Sequence, residues 1–261
     1  MFRDYTIVLW LLKLGALVNL YFLVNTLRLP RADADAYVVL PAQILFAVSA
    51  YRCLFPVRYE HNVVFHDSIF SSIFLTRLFA TFSEIAYIFL FSHVLRLLNP
   101  ARVEWVIALS WLMVAQVVVS QGLVWAAILT ERLELYYYEE LGWALIFLAN
   151  TIASAYLYLT ATALGGREVL LQLNLLFGIV YLPWQVMHLT TLRANAKSSS
   201  GRVRAGAPSI LTGLERAVRV KTRRTDSESW GGFIGLTWMT AYWATLIPVW
   251  VYYIVKVLCT P

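Results

Sequence analysis

Apolar residues along this chain gather into seven long blocks, at about 5–27, 36–55, 67–96, 103–129, 139–164, 169–192 and 233–258, parted by charged and turn-forming stretches. A helix of roughly 20 apolar residues crosses the hydrocarbon core of a bilayer. The pattern therefore predicts an all-α, polytopic membrane protein: a bundle of about seven transmembrane helices forming a single domain over 1–261. Loop chemistry supports these breaks. Pro30 lies in the first connection, Pro56 closes the second block, Asn99-Pro100 the third, and Gly165-Gly166 predicts a tight turn before the sixth.

The third block, DSIFSSIFLTRLFATFSEIAYIFLFSHVLR, carries Arg77 and Glu84 deep inside. At about 100° per residue, Asp67, Ser71, Arg77, Thr81, Glu84 and Ser92 share an arc roughly 140° wide. Arg77 and Glu84 are two turns apart on one face, roughly 10 Å along the axis. Counted from Asp67, Arg77 falls roughly 15 Å along the helix, near mid-bilayer. Charges at that depth face a bundle interior or a cavity, and they mark ion, proton or solute pathways or hold helices together.

Composition agrees with a membrane protein. Hydrophobic residues make up 60% of the 261, charged residues only 14%, and mean hydropathy is +0.67. The net charge of +6 and pI near 9.4 would suit nucleic acid, but uneven loop charge explains them better and no nucleic-acid partner is expected. Arg28, Arg31, Arg96, Arg102, Arg167 and Lys256 fall on one side, Lys13 and Arg77 lie inside blocks, and the rest of the 21 Lys and Arg fall on the side of the N-terminus. The positive-inside rule puts that side in the cytoplasm or a mitochondrial matrix and the C-terminus opposite. The expected location is a bacterial plasma membrane or an organellar inner membrane. The first block lacks a small-residue cleavage site and reads as a retained anchor.

Stretch 193–232 is the longest polar segment and is strongly basic. Within it, Ile210, Leu211, Leu214 and Val218 alternate with basic residues. This predicts an interfacial amphipathic helix, with anionic lipid headgroups as partners of 193–224; a solvated basic loop is the plainer alternative. Pro183 predicts a kink or a freed carbonyl in the sixth block. Tyr136, Tyr137 and Tyr138 suit a headgroup interface.

Catalytic candidates are Asp67, Glu139, Glu140 and His188, brought to one side of the membrane by the topology. Asp67 or Ser68 also serves as a helix N-cap, and glutamates opening the fifth block would answer the helix dipole. His66 and His188 are the metal or haem candidates. His66 and His93 are separated by about 40 Å on one helix and cannot share a haem. Among enzymatic motifs there is no HExxH, GxSxG or glycine-rich phosphate loop, and the last block has no central lysine for a retinal Schiff base. Cys53 and Cys259 read as two unpaired thiols.

The candidate pathway comprises Arg77, Thr81, Glu84, Gln116, Gln121 and Asn150, with Gln172, Asn174 and Lys13 nearby in the pattern. Three functions follow from these residues. The chain translocates or senses a proton, ion or small polar solute. Alternatively, it is an accessory subunit of a larger membrane complex, with membrane-protein partners. Thirdly, it is a membrane-embedded enzyme acting on a lipid or quinone.

Overall fold

The computed structural model describes residues 3–30, 35–161, 164–199 and 209–259. The expectations for Arg31, and for 200–208 with Arg202 and Arg204, lie outside them. The fold is 80% helical. Its long helices are α1 (Thr6–Leu27), α2 (Ala36–Leu54), α3 (Ile73–Leu97), α4 (Glu104–Thr130), α5 (Glu134–Thr160) and α6 (Glu168–Ser199). After the short α7 (Ile210–Arg219), one helical rod comprises α8 (Gly232–Thr237), a π-helical stretch Trp238–Ala244 and α9 (Leu246–Cys259). Seven of these segments are long and apolar enough to cross a membrane: α1 to α5, Glu168–Ala194 of α6, and Gly232–Cys259.

Helix starts follow local chemistry. The Asp35 carboxylate accepts from Tyr37 N–H at 2.8 Å and opens α2. Asn99 Oδ1 accepts from Val103 N–H at 3.0 Å ahead of α4. The third helix begins at Ile73, with the Ser72 hydroxyl accepting from Leu75 N–H at 3.2 Å. Asp67 and Ser68 are thus not its caps: a 3-10 turn, Ile69–Ser71, separates them from it. Gly165 and Gly166 take positive φ (59° and 84°) between α5 and α6, as their sequence predicts.

The chain divides into two compact units. Unit 1 comprises Met1–Ala86 and Leu211–Pro261, and unit 2 comprises Tyr87–Ile210. In unit 1, α1, α2 and the last rod pack together. α1 and the rod come close at Gly15, where an added Cβ would stand 2.6 Å from Ala244 Cβ. In the π stretch, the Trp243 carbonyl accepts from two other helices. Asn19 Nδ2 donates to it at 3.0 Å and the Cys53 thiol at 3.4 Å.

A three-stranded sheet covers one end of unit 1. β1 (Val57–Arg58) pairs antiparallel with β2 (Val63–Val64), and β2 pairs parallel with β3 (Thr222–Arg223). Tyr5 N–H donates to Thr225 O at 2.8 Å and Ser227 N–H to Arg3 O at 3.0 Å, so the chain's start is stitched to the same segment. The stretch expected as a basic loop therefore has more structure than its composition indicates. α6 continues into it as far as Ser199, α7 follows, and β3 docks. On α7, Ile210 and Leu211 are exposed while Gly213 and Ala217 are buried.

In unit 2, α4, α5 and α6 form an antiparallel run with polar and small residues between them. An added Cβ on Gly142 would meet Ser120 Oγ at 2.3 Å, and one on Gly178 would meet Thr151 Oγ1 at 2.1 Å. Such small residues let helix backbones approach. Asn174 Nδ2 donates to Ser154 Oγ at 3.0 Å. Large apolar side chains such as Leu17, Leu112, Val119, Ile179 and Val180 point outward, while Asn19, Arg77, Glu84, Asn150 and Gln185 are buried. Polar groups inside and apolar groups outside is the arrangement a lipid solvent favours.

Two identical substitutions should separate the roles of these glycines. Gly15→Ala forces overpacking against Ala244 and should cost roughly 1–3 kcal/mol. Gly122→Ala, with nothing within 4 Å of the new methyl, should stabilise α4 by up to about 1 kcal/mol. Thermal unfolding of the detergent-solubilised protein reads both signs.

Candidate functional site

The deepest charges in unit 1 are Arg77 and Glu84, each 2% exposed. Arg77 lies four residues past Ile73, roughly 6 Å into α3, and not near mid-helix as counting from Asp67 implies. Glu84 is two turns further on. The pair is bidentate: Arg77 Nη1 donates to Oε1 at 3.3 Å and Nη2 to Oε2 at 2.6 Å. Thr81, between them, donates its hydroxyl to the Arg77 carbonyl at 3.0 Å.

Arg77 has an aromatic neighbour. The Tyr59 ring centroid lies 5.6 Å from its guanidinium carbon and 5.1 Å from that of Arg52. Arg52 Nη1 also donates to the Tyr59 hydroxyl at 2.9 Å. Tyr59 reaches this place because β1 delivers the chain there and the turn after it is tight, with His61 and Asn62 at φ 62° and 55°. Arg52 further stacks on Trp243 at 4.8 Å and donates to Val57 O at 3.4 Å.

Lys13 donates to the Leu54 carbonyl at 3.0 Å, capping the end of α2, and its Nζ stands 2.9 Å from His66 Nε2. With an ammonium as donor, that imidazole nitrogen is the acceptor, and the ring proton belongs on Nδ1. Nε2 is thus occupied as a potential metal ligand. Asp67 has a 71% exposed side chain and lies 3.4 Å from Lys221 Nζ, a surface pair.

Unit 2 gathers Glu139, Glu140, Gln185 and His188. Because α5 begins at Glu134, the two glutamates lie more than a turn inside the helix and are buried. The dipole account fades beyond the first turn, so it does not explain them. Gln185 Nε2 donates to the Glu140 carbonyl at 2.7 Å and to its Oε2 at 2.8 Å. His188 Nδ1 lies 3.9 Å from the same Oε2, and the ring is edge-on to Trp184 at 5.2 Å. Glu139 turns away: Trp143 Nε1 donates to its Oε1 at 2.8 Å. Glu140 and His188 are therefore brought together as a carboxylate–imidazole pair, while Asp67 belongs to unit 1.

Among the remaining pathway candidates, Asn150 is fully buried and its Oδ1 accepts from Asn174 Nδ2 at 3.5 Å. Gln121 is buried, and Gln116 stands against Gly142. Gln172 reaches the Tyr158 hydroxyl at 3.2 Å. Among the described residues, no group of three or more His, Cys, Asp or Glu is placed to hold a metal ion. The sequence reading missed Arg52, Tyr59 and Trp243. Arg52 counted only as a loop charge because it ends a helix, and no local spacing links it to a tyrosine seven residues on.

Burial and the cationic neighbours Lys13 and Arg223 hold the His66 imidazole below its ordinary pKa of 6.5. The fold thus prefers neutral His66, and the unfolded chain binds the proton first on acidification. Stability should fall as pH drops through 6.5 toward the lowered folded value and then level off. In His66→Gln this part of the acid sensitivity should vanish, as read by thermal unfolding between pH 7.5 and 5. No family model, no characterised protein and no solved structure matches this chain.

Proposed function

We propose that this chain is a multi-pass membrane protein that translocates or senses a proton, an ion or a small polar solute through the polar interior around Arg77 and Glu84. The seven long apolar helices cross the bilayer in this reading. The N-terminus faces the cytoplasm or matrix, the C-terminus lies opposite, and the membrane is a bacterial plasma membrane or an organellar inner one. The exposed apolar residues of α7 and its basic neighbours rest on anionic headgroups.

The observation that supports the reading is that Arg77 and Glu84, each 2% exposed, form a bidentate ion pair inside unit 1. A buried ion pair costs several kcal/mol of desolvation. Ionisable residues buried in this way in a membrane protein mark ion, proton or solute pathways, and this pair fits a group that opens, exchanges a proton or meets a solute. Buried Glu140 and half-buried His188, 3.9 Å apart, supply a second acid–base neighbourhood, and they favour proton handling within the same reading. They also suit the enzymatic alternative, chemistry on a lipid or quinone, better than Asp67 does.

Glu84→Gln should abolish flux or sensing in proteoliposomes. It should also destabilise the protein by roughly 3–5 kcal/mol, because Arg77 loses its partner. The double variant Arg77→Met with Glu84→Leu should recover most of that stability and still fail in flux. If the double variant works like the wild type, the pair is not part of the pathway. If every variant keeps its flux but falls out of a larger assembly, the subunit reading takes its place.

A further inference from the structure

We propose that unit 1 binds the phosphate of an anionic glycerophospholipid at Lys13, His66 and Arg223, with an acyl chain laid along α1. Three elements bring these groups together. Lys13 Nζ caps the Leu54 carbonyl at the end of α2 and stands 2.9 Å from His66 Nε2. It thus reaches the level where α2 stops, although Lys13 lies roughly 10 Å along α1 from Thr6. Arg223 pairs with Val64 in the β2–β3 ladder, two residues before His66. Burial, and then the charges of Lys13 and Arg223, hold the His66 ring below its ordinary pKa. Both cations therefore act on one imidazole.

These cations have no anion. Among the described residues, no carboxylate forms an ion pair with Lys13, His66 or Arg223. Asp67, next to His66 in the chain, is taken by Lys221, whose Nζ also donates to Ser68 O at 3.1 Å. Donors remain open. Lys13 spends N–H groups on Leu54 and His66 and has a third. With Nε2 accepting from Lys13, His66 carries its proton on Nδ1. That N–H is not buried and has no partner among the described residues. Lys13 and His66 are half-buried and Arg223 is exposed, so the ligand needs no enclosed cavity. Two positive charges and an open N–H match the oxygens of a phosphate.

An apolar track lies beside the cluster. Trp10, Leu14, Leu17 and Tyr21 are each more than half exposed. At about 100° per residue they share an arc roughly 60° wide. Lys13 sits at the edge of that arc, with Nζ 5.0 Å from the Trp10 ring centroid. From Lys13 the track runs roughly 12 Å further along α1 to Tyr21. An acyl chain hung from a phosphate at Lys13 follows it into the bilayer. Free phosphate has no use for the track, and Lys13 and Arg223 repel the trimethylammonium of a choline headgroup. The site rests on the reading that α1 and α2 cross the bilayer, and not on any role of Arg77–Glu84.

The test is native mass spectrometry of the full chain in a mild non-ionic detergent, titrated with phosphatidylglycerol or phosphatidylcholine, with inorganic phosphate as competitor. The first phosphatidylglycerol should bind roughly thirtyfold more tightly than phosphatidylcholine, about fivefold for each of the two cations. Lys13→Gln, which keeps a donor for the Leu54 carbonyl, and Arg223→Gln, at an exposed position, should each weaken that step roughly fivefold. Arg219→Gln, whose charge Glu215 already answers, should leave it unchanged. The proposal fails if phosphatidylcholine binds as well, or if inorganic phosphate at equal concentration displaces the lipid. It fails too if folded Lys13→Gln or Arg223→Gln binds like the wild type, or if Arg219→Gln weakens binding as much as they do. Should Lys13→Gln not fold, Arg223→Gln and the headgroup comparison decide. A chain that does not insert into lipid nanodiscs overturns the membrane reading itself; an inserted chain without headgroup preference overturns this site alone.

Discussion

Two guanidinium groups lean on one tyrosine ring inside unit 1, and the Glu84 carboxylate pairs with that of Arg77. Much of the local architecture serves to keep that arrangement dry and fixed. Tyr59 must be held between Arg52 and Arg77, so the chain after α2 forms β1 and turns sharply through two left-handed residues, His61 and Asn62. β2 then pins the return, and β3 braces it from the far end of the sequence. Without this cover, water would reach the charges and the low-dielectric interaction that binds Arg77 to Glu84 would weaken. The sheet is small, but it lets a membrane-type helical core hold buried charge at its end.

The last rod departs from α-helical geometry next to this cluster. In its π stretch, the Trp243 carbonyl accepts from Asn19 and Cys53 of two other helices. Trp243 is thereby set against Arg52. A single irregular turn thus links the packing of three helices to the electrostatics of the guanidinium cluster. In unit 2 the polar groups are arranged differently, as pairs strung along helix contacts: Ser120 on the Glu139 carbonyl, Gln185 on Glu140, Asn174 on Ser154. Each satisfies a group that lipid could not.

The seven helices were legible because a long apolar run has one physical solution in a bilayer-like solvent, and block length alone sets their limits to within seven residues. The Arg77–Glu84 face was legible from the 3.6-residue period. The depth of that pair was not, because Asp67, Ser68 and the following 3-10 turn have the composition of a helix start while the true cap is Ser72. Glu139 and Glu140 looked terminal because the tyrosines before them resemble an interface, whereas α5 starts at Glu134. The guanidinium–tyrosine cluster was illegible in principle. It joins residues from a helix end, a loop and the last rod, and no periodicity connects them. The Glu140–Gln185–His188 group was only half visible: topology placed Glu140 and His188 on one side, but the register of α5 against α6 decides which glutamate meets the imidazole.

The account stands on the idea that the Glu84 carboxylate changes state inside the protein. Infrared difference spectroscopy of the reconstituted protein, wild type against Glu84→Gln, tests this most directly. If the account holds, acidification or solute addition converts a carboxylate band to a protonated carboxyl band in the wild type, and this change is missing in Glu84→Gln. A Glu84 carboxylate that stays ionised and unshifted under every condition supporting flux would contradict it, and Arg77–Glu84 would be a fixed part of the scaffold.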